Sequence, residues 1–171
     1  MAIALLTLAL CGTVSLLATS LLGHRLPVDA AEMRRHFLLA LGSTTLLVMA
    51  HSFIMFFLIA TGVEMKDMEK DRGWGDSFRR RTIALKSRVF PLMTSAILLV
   101  MANFILGAAA HTHVLPGWAH GLLAWMTVAV CVVTLAREYV VLGENNRLID
   151  EAASRRRSQA AGDPSHASPE A

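Results

Sequence analysis

The residues of this chain best suited to chemistry are its histidines. Five of the seven, His24, His36, His111, His113 and His120, fall at or near one set of ends of long apolar runs. His51 falls deep inside such a run, and His166 lies in a polar C-terminal stretch. An ionisable group inside an apolar span is costly and points to function, although imidazole lowers that cost by staying neutral. On one helix, the 15 residues between His36 and His51 correspond to about 22 Å of rise and about 60° of rotation. Both rings can therefore face a bundle interior, at different depths. His120, Thr127 and Thr134 recur every seven residues and give an inward polar stripe. Asn103 falls at a depth where it can meet His120 or His51.

One chemistry open to this set is metal binding. His111, His113 and His120, completed by His24 or His36, form an imidazole set suited to zinc, copper or ferrous iron. The His111-x-His113 spacing fits a structural zinc site loosely, and only Asp29 and Glu32 stand nearby as carboxylates. The competing reading is solvated interfacial histidines at 111 and 113. For His36 and His51 it is a hydrogen bond to a Thr, a Ser or a backbone carbonyl inside the bundle.

The 15-residue spacing of His36 and His51 also resembles the paired histidines of the cytochrome b family. In that family a four-helix core holds two b haems, with a histidine pair on each of two helices. This chain matches with His36 and His51 on its second span and His120 on its fourth, and departs in having no histidine near Met126–Thr127. The resemblance covers the spacing in one helix. It implies one outer b-type haem held by His36 and His120, or a His/Met pair of His51 with Met126 or Met101. Four spans with histidines near one face are also loosely similar to small accessory proteins of haem-copper oxidase biogenesis, with no diagnostic motif to align.

The elements that position these residues are four apolar runs, 2–22, 37–63, 89–110 and 114–136, none containing Asp, Glu, Lys or Arg. Each is long enough for a ~30 Å hydrocarbon core, which needs about 20 helical residues. A hydrophobic fraction of 54% agrees with a membrane rather than a soluble composition. The expected fold is all-α: an integral membrane four-helix bundle, up-down-up-down, over residues 1–153, with a disordered cytoplasmic tail over 154–171. The first run lacks a basic leader and a clear cleavage site, so it reads as a retained helix.

Of 16 Lys and Arg, 13 fall in the 64–88 loop or from Arg137 onward, and three (Arg25, Arg34, Arg35) fall in the first loop. The positive-inside rule then makes both termini and the 64–88 loop cytoplasmic in a cell inner (plasma) membrane. This placement of the basic residues argues for topology rather than nucleic-acid binding.

Asp29 is placed to cap the approach to span two, with Glu32 completing a capping box. Gly73-Trp74-Gly75 breaks the second helix, with Trp74 suited to the headgroup region, and Asp76 or Ser77 can cap the next helix. Cys11, Ser15, Thr19 and Gly23 make a small-residue stripe for close packing. No repeat of 20–50 residues is visible. Cys11 and Cys131 offer no CxxC motif.

No HExxH, GxSxG or P-loop is present, so the chain does not read as an enzyme by itself. No apolar run holds a carboxylate, which removes the usual proton-relay groups. The sequence thus points to a small multi-pass membrane protein that binds b-type haem or a transition metal and serves respiratory electron transfer or complex assembly. The alternative is a cofactor-free accessory subunit. The expected partners are the lipid bilayer and other membrane subunits or further copies of the chain.

Overall fold

Four long helices make up the computed structural model: α1 (Ala2–His24), α2 (Ala30–Arg72), α3 (Ser77–His111) and α4 (Gly117–Ala161). It describes residues 1–24 and 29–161. The expectations for residues 25–28, for 162–171 and for His166 lie outside the described residues.

Each helix is long and apolar enough to cross a membrane. Phe56, Leu98 and Ile105 stand well exposed on the outside, the surface that lipid tails cover. The protein is a multi-pass helical membrane bundle. Its helices form a ring: α1 packs on α2 and α4, α3 packs on α2 and α4, and α2 meets α4 across the diagonal at fewer points.

The helix ends follow local chemistry. Asp29 caps α2, its carboxylate accepting from the backbone N–H groups of Ala31 and Glu32 at 2.9 and 2.8 Å. Gly73 ends α2 in the left-handed conformation (φ 64°), where a side chain would be strained. The α3 cap differs from the expectation. Asp76 makes no side-chain cap bond. The buried carboxylate of Glu69, at the end of α2, instead accepts from the backbone N–H groups of Phe78 and Arg79. A carboxylate held at a helix N-terminus satisfies orphan donors and complements the dipole.

Past the apolar runs, α2, α3 and α4 continue together as a packed stalk. Met65, Phe78, Leu85, Leu148 and Ala152 are buried there. Trp74, expected at the headgroup level, belongs to this core: it is 7% exposed and packs on Phe78 with ring centroids 5.7 Å apart. Its indole N–H donates to Gln159 at 2.8 Å, and the Arg155 guanidinium lies 4.8 Å over its ring. The helix therefore runs beyond residue 153, where the sequence places the start of the tail. Residues 154–161 form its last turns.

Candidate functional site

At the end of the bundle where α1 stops and α2 begins, the four helices splay around a cavity of about 920 Å³. That volume lies within the range of ligand sites. Aromatic side chains supply much of the wall: Phe37, Phe104, Trp118 and Trp125. The polar groups are few and include His24, His36, Asn103, His111 and His120, with Arg34 at the exposed rim.

His36 comes from α2 and His120 from α4, so they face the cavity from the two ends of the diagonal. Each imidazole is seated on a glycine of the helix before it in the chain. A Cβ at Gly23 would come within 2.8 Å of His36 Cε1, and one at Gly107 within 3.0 Å of His120 Cε1. A Cβ at Gly23 would be closer than real contacts allow, and one at Gly107 would require the His120 ring to give by a few tenths of an ångström, so glycine suits both seats. Three buried polar atoms beside the cavity have no partner: His36 Nδ1, His120 Nδ1 and Asn103 Oδ1. Buried polar atoms are nearly always satisfied, so three open ones beside one cavity call for an explanation.

The structure thus brings together His36, His120 and Asn103, and with them His24 and His111 of the expected imidazole set, around one cavity. Met126 is not with them; it is 53% exposed. His113 stands in the turn after α3 with φ 60° and does not line the cavity. The set His111, His113 and His120 is accordingly not assembled: among the described residues no three of His, Cys, Asp or Glu are placed to hold a metal ion. Thr127 and Thr134 face inward as expected, but their hydroxyls donate to the carbonyls of Leu123 and Val130 on their own helix. The donors of the stripe below His120 are thus satisfied within their own helix.

His51 also differs from expectation. Its partner is neither a Met nor a hydroxyl: Nδ1 lies 2.6 Å from Glu138 Oε1, and both side chains are 0% exposed. Glu138, two residues past the fourth apolar run, is inside the core. The absence of carboxylates from the apolar runs therefore does not keep a carboxylate out of the bundle interior. One stage further from the cavity, the Thr61 hydroxyl lies 3.1 Å from Asn145 Oδ1 and 3.0 Å from the Phe57 carbonyl, and its one proton is shared between such acceptors. The His51–Glu138 and Thr61–Asn145 contacts cross the α2–α4 diagonal.

A relation that short-period inspection misses ties these positions together. Leu22-Gly23 followed by His36-x-Leu38-Leu39-Ala40 recurs, 84 residues on, as Leu106-Gly107 followed by His120-x-Leu122-Leu123-Ala124. The burial pattern repeats at the same offset: Gly12 with Ala96, Leu16 with Val100, Thr19 with Asn103, Ser43 with Thr127, Leu47 with Cys131, and Thr61 with Asn145 are buried at both positions. The α1–α2 and α3–α4 pairs are two copies of one unit, and His36 and His120 are equivalent residues. A sequence signal existed in the shared Leu-Gly and His-x-Leu-Leu-Ala elements.

No family model matches this chain, and no curated protein or solved structure matches it.

Proposed function

We propose that this protein is a small b-type haem protein of the cell inner (plasma) membrane, in which His36 and His120 would hold the haem. The observation that carries this reading is the pair of equivalent imidazoles on opposite walls of one aromatic-lined cavity. The residues present suit the group. Two imidazoles are donors of the kind that would hold a haem iron, apolar and aromatic walls suit a macrocycle, and the glycine seats fix the imidazoles in place. Arg34 at the rim suits a carboxylate substituent. Haem, when bound, supplies reversible one-electron transfer. The chain's part is to hold the ring, exclude water from it and set its polarity. In this reading the helices run up-down-up-down, both termini are cytoplasmic, and the cavity opens on the opposite face. The role is respiratory electron transfer or the assembly of a respiratory complex.

The experiment is an absorption spectrum of the protein purified in mild detergent, oxidised and dithionite-reduced, with metal analysis of the same sample. A Soret band with sharp reduced α and β bands is expected, lost in His36→Ala and in His120→Ala. A colourless preparation would favour the second reading, a cofactor-free accessory subunit of a larger membrane complex. One observation favours that reading: each imidazole already packs against a glycine, which is a structural use for it. A transition metal in place of haem draws on the same two imidazoles and would appear in the metal analysis without a Soret band.

A further inference from the structure

The buried His51–Glu138 contact has no part in the cavity reading. Of its four polar atoms, two hold each other, and His51 Nε2 and Glu138 Oε2 are buried without a partner. The internal repeat gives this pair an unusual control. Position 135, equivalent to His51, is Leu, and position 54, equivalent to Glu138, is a fully buried Ile. The same unit is therefore built with an apolar residue at each of these two positions in its other copy. Packing does not demand an acid and a base at this level, and a buried ion pair is a poor way to gain stability.

What the pair does supply is a place for protons. A lone charge of either sign is costly in such surroundings. Two arrangements keep the pair neutral, imidazolium with carboxylate and imidazole with carboxylic acid. They differ only in which side of the 2.6 Å hydrogen bond holds the proton. The open Nε2 and Oε2 allow one further proton to be bound or one to be released.

Few other charges compete. On α1 the only titratable side chains are Cys11 and His24, both exposed. On α2 no other titratable residue lies between His36 and Glu64, and on α3 none lies from Val89 to Ala110. Beyond that stretch, Arg88 reaches Glu144 at 3.4 Å, and Lys86 Nζ packs on Gly62, 2.7 Å from where a Cβ would be. On α4, Cys131 is buried two turns away, while Arg137 and Tyr139 are exposed. The polar groups that follow along the diagonal are Asn145 and Thr61, leading toward the charged stalk.

We propose that His51 and Glu138 form a proton-loading site, exchanging a proton with the stalk side of the membrane. Resting on the haem reading, the site binds one proton when a one-electron donor reduces the cavity group and releases it on reoxidation. The only bond made or broken is an O–H or N–H bond at the pair.

Two measurements on the full chain test this. The first needs no haem: pH-difference infrared spectra should show the C=O stretch of a protonated buried carboxyl, absent in Glu138→Gln. It should also be absent in the double variant His51→Leu/Glu138→Ile, which restores the residues of the other copy and keeps the fold. The second is the midpoint potential against pH. The wild type should shift toward the limit of about 59 mV per pH unit for one proton per electron, and the double variant should be flat. An absent carboxyl band, one that survives Glu138→Gln, or an equal slope in the double variant would overturn the proposal. A colourless protein that keeps the band would sink the haem reading and leave the proton site standing. A haem protein without the band would do the reverse.

Discussion

His36 and His120 occupy the same position in two copies of one helix pair, each imidazole packed so closely on its glycine that a Cβ would come within 2.8 Å of Cε1 at Gly23 and 3.0 Å at Gly107. Two equivalent donors facing one cavity make a site with approximate twofold character, which suits a flat group ligated from both faces. The glycines are then as much a part of the site as the histidines.

Substituting those glycines should therefore act as ligand loss. Gly107→Val and Gly23→Val are expected to push the imidazole from its seat, reduce haem retained on purification severalfold, and cost roughly 1–3 kcal/mol through overpacking. Gly42→Val is the matched control, since a Cβ there meets nothing within 4 Å. Pigment per protein and thermal unfolding in one detergent would check both effects.

The buried pair should respond in opposite ways to single and double substitution. Glu138→Ala leaves a fully buried imidazole without its partner and should destabilise by about 3–5 kcal/mol. His51→Leu/Glu138→Ile should be neutral or stabilising. Unfolding midpoints of the wild type and the two variants decide this. A double variant as unstable as the single one would show that the repeat does not predict what the site tolerates.

At the other end of the bundle, Trp74→Ala should cost about 3–5 kcal/mol, because a core aromatic and its bond to Gln159 are lost together. It should also expose residues 150–161 to proteolysis. Trp118, 74% exposed, should tolerate Ala with little change in unfolding midpoint.

The cap on α3 separates two carboxylates only seven residues apart. Glu69→Ala should cost about 1–2 kcal/mol, in the range of a lost N-cap. Asp76→Ala, which removes a side chain with no cap bond, should be close to neutral. Comparison of their unfolding midpoints tests whether the turn is organised from α2.

The four helices, the Asp29 cap and the inward direction of His36, Asn103, His120, Thr127 and Thr134 were legible in the sequence. Hydropathy and helical periodicity report directly on which side chains avoid lipid or water. The His51–Glu138 pair was not. Glu138 sits between Arg137 and Tyr139, and that charged context reads as a membrane boundary. Which residue of α4 stands level with His51 depends on the axial register of two helices, which periodicity within one helix does not contain. Trp74 misled for a related reason. An indole after an apolar run suits an interface, and only the continuation of α4 to Gln159 turns that place into a core. Of the expected zinc-like set, His113 is not at the cavity: it stands on the turn after α3, where its positive φ is a backbone feature without a sequence signature.

The account's central claim is most directly tested by titrating haemin into the apoprotein in detergent and following the Soret band. The wild type should saturate at one equivalent per chain. His36→Ala and His120→Ala should weaken binding to similar extents, as equivalent positions require, and the double variant His36→Ala/His120→Ala should not bind. Saturation of the double variant at wild-type affinity, or no binding by the wild type, would contradict it.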